Sequence, residues 1–230
     1  MRLLHYSFAD SENTLVYIHI GKCGGSSLEA ALKNSQSLKN KFSTIVRVHI
    51  EKPPILERSK YIIVIRNPIS RAISAFNWRY KLVVKDESQR HRFPGEWEVL
   101  AKYKTLQNLA TELYTNGKLN EPVAAEFRTI HHLKEDIAFY LLELLDTIQP
   151  HQILATFATE TLDRDMAEIL NLKVSKRIHE HSLSVAGFRK DLDQTALNNL
   201  KTFLTDDYDC LQRLLMMNHS TRCAREILLD

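Results

Sequence analysis

The chain has 230 residues, 44% of them hydrophobic and 26% charged, which suffices for one α/β domain with a substantial core and leaves little room for two. Its formal charge of +3 suits an anionic ligand without demanding nucleic acid, and no basic stripe interleaved with aromatic residues speaks for a nucleic-acid binder. The longest apolar stretches, Leu15–Ile20 and Tyr61–Ile65, are far shorter than the roughly 20 residues of a membrane helix.

The first residues, Met1 to Tyr6, run too soon into Asp10 and Glu12 for the apolar stretch of a signal peptide, so a cytoplasmic protein is expected. Strand-like runs rich in β-branched and aromatic residues follow at Thr14–Ile20, Thr44–Ile50, Tyr61–Ile65 and Gln152–Phe157 and read as buried parallel strands. From Lys85 to Gly117 the sequence is polar and mixed, with Arg90-His91-Arg92 and an isolated Trp97; it reads as an acceptor-side insertion, 85–117, in a single domain spanning 1–230. Trp97 there either stacks on a sugar ring or anchors a small core of its own. Helical spacing marks Leu133, Ile137, Tyr140, Leu141 and Leu144, then Leu162 and Met166, then Leu197, Leu200, Phe203 and Leu204, and finally Leu211, Leu214 and Leu215. The expected fold is α/β, a P-loop-like open parallel sheet of about four to five strands flanked by helices, with a helical C-terminal third. Cys23, Cys210 and Cys223 are odd in number and lack a CxxC pattern, which indicates neither a disulfide framework nor a zinc site.

Two segments carry chemistry. The first strand runs into Gly21-Lys22-Cys23-Gly24-Gly25-Ser26-Ser27, and an amphipathic helix begins at Leu28. Glycines let the backbone approach an anion, and free N–H groups at the helix start point at it. Ser26 and Ser27 can cap the helix or donate to phosphate oxygens, and Lys22 adds a point charge. The nucleotide triphosphatase pattern sets Lys after its second glycine, whereas Lys22 precedes the glycine pair, so that pattern fails. Cys23 lacks the nearby arginine that a phosphatase nucleophile needs. The same residues also suit an ordinary tight strand-to-helix turn.

The strand Tyr61–Ile65 ends in Arg66-Asn67-Pro68-Ile69-Ser70-Arg71, and a helix begins. Ligands in open α/β sheets bind at carboxyl ends of strands. An aspartate at this place would hold magnesium; Arg66 repels a metal and attracts a second phosphate. Ser74, one turn beyond Ser70 on the same helix face, can reach the phosphate that Arg66 holds. Arg71 reads as a solvated helix residue.

Together these segments resemble the sulfotransferases that use 3′-phosphoadenosine 5′-phosphosulfate (PAPS), particularly their carbohydrate-type branch. That family opens with an apolar strand and a Pro-Lys-Thr/Cys-Gly-Gly-Thr/Ser-Ser turn, matched by Ile18 to Leu28 with Gly21 in place of the proline. Its second signature, Arg-Asp/Asn-Pro, an arginine and a serine, is matched by Arg66-Asn67-Pro68, Arg71 and Ser74. The resemblance implies that Lys22, Cys23, Gly24, Gly25, Ser26, Ser27 and Leu28 hold the 5′-phosphosulfate and that Arg66 and Ser74 hold the 3′-phosphate. It implies PAPS as co-substrate, 3′-phosphoadenosine 5′-phosphate (PAP) as product and no metal. Asp206-Asp207-Tyr208-Asp209 is similar to the start of the family's C-terminal helix.

Such a reaction needs a cation on the leaving oxygen, for which Lys22 is placed, and a base for the acceptor. The second strand reads Arg47-Val48-His49-Ile50-Glu51, so His49 and Glu51, two apart, are expected on one side of it. His49 is the first choice, since some carbohydrate sulfotransferases carry a histidine there, and Glu51 the second. His19, inside the first strand, suggests packing. His131 and His132 suit an acceptor pocket or a helix start, and no third ligand at a recognised spacing suggests zinc. The basic loop Lys176 to Ser184 is expected to close over the adenosine. The acceptor is expected to be a glycan. A small-molecule or nucleoside kinase and a non-catalytic PAP-binding module are the alternatives.

Overall fold

Four parallel strands form the central sheet of the computed structural model, which describes residues 13–170, 192–217 and 228–229. They are β1 (Thr14–His19), β2 (Thr44–Val48), β3 (Lys60–Ile65) and β6 (Ile153–Ala158), in the order β2-β1-β3-β6; β4 (Tyr114–Thr115) and β5 (Lys118–Leu119) make a small separate hairpin. All six residues of β1 are buried, as are five of the six in β3, which accounts for their unbroken apolar runs: a strand covered on both faces has no polar side. At the edge, β2 exposes Thr44, Ile45 and Arg47 and buries Val46 and Val48. Expected to reach Ile50, β2 stops at Val48 because Ile50 turns to φ 61°, outside the β region.

Helix α1 (Gly25–Asn34) and the short α2 (Gln36–Lys41) carry the chain from β1 to β2, and α3 (Pro68–Tyr80) follows β3. Asn67 caps α3 by accepting from the Ser70 N–H at 2.9 Å, with Pro68 in the first turn, a pairing that starts a helix sharply. Leu28 and Leu32 of α1 join one apolar core with Ile137, Tyr140, Leu141 and Leu144 of α7 (Ile137–Thr147) and Leu211 and Leu214 of α10 (Thr205–Met217). Asp136 accepts from the Phe139 N–H at 2.7 Å and Asp207 from the Ala138 N–H at 2.8 Å, so two carboxylates serve the start of α7.

The segment 85–117, polar and mixed in sequence, is structured. It holds α4 (Glu96–Tyr103) and α5 (Leu106–Glu112), whose Val99, Leu100, Tyr103, Leu106, Leu109 and Ala110 form a second core with Phe76 of α3, Phe127 of α6 (Glu121–Phe127) and Leu200 of α9 (Gln194–Phe203). Helices of seven or eight residues give too few turns for the 3.6-residue period to stand out among charged neighbours. A fully buried ion pair pins this unit, with Arg79 Nε and Nη2 donating to Glu96 Oε1 and Oε2 at 2.8 and 2.6 Å. Trp97 is half-buried against this core, with the Arg90 guanidinium 4.3 Å from its ring centre. Helix α8 (Leu162–Leu170) follows β6, and the described part of the chain after it is helical, as expected.

Candidate active site

The site lies at the carboxyl ends of β1, β2 and β3. Between β1 and α1 the chain reverses through Lys22 at φ 70° and Gly24 at φ 74°. Gly24 leads α1 without a side-chain cap, and no acidic residue stands in the helix's first turn, so its amide end is open to an anion. Gly25 is required by packing, since a Cβ there would stand 2.1 Å from a His19 ring carbon. Ser26 is half-buried, while Ser27 and Leu28 are buried. Cys23 is fully buried, and desolvation pushes its thiol up to about 12, so it stays protonated and is no nucleophile.

Lys22 places Nζ 4.6 Å from the ring centre of Trp78 on α3. Burial, and next the charge of Arg66, lower its pKa to about 8. Among the described residues no carboxylate pairs with it. Arg66 leaves the end of β3 and donates from Nη1 to the Lys22 carbonyl at 3.2 Å. Its Nε lies 3.7 Å from Glu160 Oε1 and is buried without a hydrogen-bond partner. Ser74, two turns into α3, the helix that follows Arg66, is buried.

Arg71 is not solvated. It is 1% exposed, and its guanidinium donates to three carbonyls, those of Gly21 at 3.1 Å, His132 and Glu135. The helix phase that puts Ser74 inward puts Arg71 inward too, one turn earlier, and main-chain oxygens there satisfy its donors. It ties the glycine turn to the turn at 132–135.

His49 Nδ1 lies 2.9 Å from the His19 carbonyl. A carbonyl only accepts, so Nδ1 carries the proton and Nε2 keeps its lone pair. Burial holds the His49 pKa below its ordinary value, which keeps the ring neutral at pH 7. Its ring lies 4.6 Å from that of His19 and 5.7 Å from that of His132. His19 itself is 6% exposed, its pKa lowered by burial to about 3, a packed residue as expected. Glu51 does not share a side with His49: with β2 ended at Val48 and Ile50 at φ 61°, the two-residue alternation is broken, and Glu51 is exposed while His49 is half-buried.

His131, His132 and Glu135 bring ligand atoms within 4.8 Å of one another, a grouping that a divalent ion could bridge and that the sequence spacing did not suggest. Glu135 Oε2 already accepts from the His132 N–H at 2.9 Å and lies 3.1 Å from His131 Nδ1. Arg71 donates to the carbonyls on both sides. A cation is thus already built in beside these residues, and we read them as a hydrogen-bonded corner. Trp78 and Glu160 were not foreseen as site residues, and only contacts across the fold bring them in; His132, expected at an acceptor pocket or a helix start, stands beside His49. The loop Lys176 to Ser184 and Cys223 lie outside the described residues.

An open parallel α/β sheet with adjoining cations at the ends of its two central strands, one of them on a glycine turn, is a P-loop-like arrangement that offers a place to an anion. The family model described as "Sulfotransferase family" matches residues 5–212. The chain belongs to the sulfotransferase family. The curated proteins and the solved structures yielded no match. Among the described residues no helix is long and apolar enough to cross a membrane.

Proposed function

We propose that the protein transfers a sulfuryl group from PAPS to a hydroxyl, or an amine, of a glycan. The observation that carries the donor assignment is the pair Lys22 and Arg66: two half-buried cations joined through the Lys22 carbonyl, Lys22 with no carboxylate among the described residues and Arg66 with only Glu160 at 3.7 Å, too long for a hydrogen bond to its buried Nε. Partly buried like charges repel unless an anion lies between them. A donor with phosphates at both ends of its ribose satisfies both, the 5′-phosphosulfate on the Gly21–Ser27 turn and the 3′-phosphate on Arg66 and Ser74. The glycan assignment rests on the likeness of Ile18 to Leu28 and of Arg66 to Ser74 to the carbohydrate-type branch.

PAPS supplies an activated sulfuryl group. Lys22 leaves the face of Trp78 to bond the bridging oxygen, and as the S–O bond to the 5′-phosphate breaks it stabilises the charge that collects there. Nε2 of His49 takes the proton of the acceptor hydroxyl while its oxygen forms the new bond to sulfur. His49 is preferred to Glu51 because its free nitrogen is fixed by the His19 carbonyl, whereas Glu51 is exposed.

Thermal stabilisation separates this from the kinase reading. PAP should raise the melting temperature and ATP with magnesium should not; stabilisation by ATP–magnesium and none by PAP would overturn the donor assignment.

A further inference from the structure

Gly21 and His132 compete for one space. A Cβ on Gly21 would stand 2.4 Å from His132 Nδ1 and 2.9 Å from its Cε1, nearer than such atoms approach. Gly21 does not adopt a left-handed φ, so the turn itself would accept another residue. The imidazole is what requires the glycine, and it occupies the place that a side chain at this turn position would fill.

His132 is held firmly there. It sits at φ 69°, an uncommon conformation for a residue with a Cβ. Its N–H donates to Glu135 and its carbonyl accepts from Arg71, while its ring lies 4.0 Å from that of His131. Nδ1 is buried and, among the described residues, has no hydrogen-bond partner, so no hydrogen bond to that nitrogen explains an imidazole here. Toward the site, the His132 ring lies 5.7 Å from His49, tilted by 44°, and His19 lies 4.6 Å from His49.

We propose that His132 is the positioning residue of the base: its ring walls the His49 imidazole so that Nε2 stays aimed at the acceptor, and Gly21 is present to admit it. This rests on His49 being the base. The turn and the wall are therefore one device, and Arg71, bonded to the carbonyls of both Gly21 and His132, keeps them in register.

A double-mutant cycle tests it. His132→Ala should lower kcat about tenfold or more through misplacement of the base, with PAP affinity kept within about twofold. The acid limb of its pH–rate profile should move up as water reaches His49, which otherwise faces His19, Arg47, His131 and Glu135. His132→Phe, which keeps a ring there, should restore kcat to within about threefold of the wild type. Gly21→Ala should cost a similar factor alone and almost nothing in the His132→Ala background. Additive losses, a Phe variant as slow as the Ala variant, a His132→Ala protein as fast as the wild type, or one that loses PAP would each overturn the proposal. A wild-type protein that neither binds PAP nor transfers sulfuryl would instead sink the reading of the site, a separate and recognisable result.

Discussion

Arg66 Nη1 donates to the carbonyl oxygen of Lys22 at 3.2 Å, so the two cations assigned to opposite ends of the donor are parts of one rigid piece. Removing Arg66 should disturb one phosphate more than the other. A charge-assisted hydrogen bond to phosphate is worth about 1.5–3 kcal/mol, so Arg66→Ala should weaken PAP about 10- to 100-fold in calorimetry. Adenosine 5′-phosphosulfate, which lacks the 3′-phosphate, should lose much less. Equal losses for both ligands would place Arg66 elsewhere.

The rate should follow a bell in pH. The His49 pKa lies below its ordinary value through burial, so protonation of the base sets an acid limb below about 6.5. The Lys22 pKa is lowered to about 8 by burial and by Arg66, so kcat/KM for the donor should fall as pH rises through about 8 and the free enzyme loses that charge. A rate that climbs steadily to pH 10 would remove Lys22 from the role.

Glu96 accepts twice from Arg79 and also from the His131 N–H at 2.9 Å, linking the second core to the corner beside the site. Glu96→Ala leaves a buried guanidinium without its partner, a loss of about 3–5 kcal/mol. Chemical denaturation should show it, and a loss under about 1 kcal/mol would mean that solvent reaches the pair.

Asp207 is fully buried, and desolvation, with the charge of Asp136 next, raises its pKa from 3.8 to about 7. The folded state then holds a proton that the unfolded chain has released. Stability is greatest below the unfolded value and declines as pH rises from about 4 to about 7, with the penalty complete above that. Asp207→Asn should flatten the decline, measured as melting temperature against pH. An unchanged slope would assign it to another group.

The sheet was legible in the sequence because doubly covered strands leave unbroken apolar runs, and the glycine turn because its residues are consecutive. Arg66 and Ser74 could be named from a strand end and a helix phase. Arg71 could not, since the same phase that buried it also admitted a solvated reading until carbonyls from residues sixty positions away met its donors. The packing of His132 was equally hidden: nothing local shows that its ring will fill the space beside Gly21. The alternation that paired His49 with Glu51 failed at a single residue, Ile50, whose left-handed φ no β-branched side chain foretells. Trp97 drew attention by its isolation, yet it is Trp78, inside an apparently ordinary helix, that meets Lys22.

The central claim is sulfuryl transfer from PAPS with Lys22 on the leaving oxygen, and transfer of labelled sulfate from PAPS to a panel of glycans tests it most directly. The wild type should label at least one glycan, and Lys22→Ala should lower that turnover by about 100-fold or more at saturating PAPS. Turnover near the wild-type level in Lys22→Ala, or a wild type that binds PAP yet labels nothing, would contradict it.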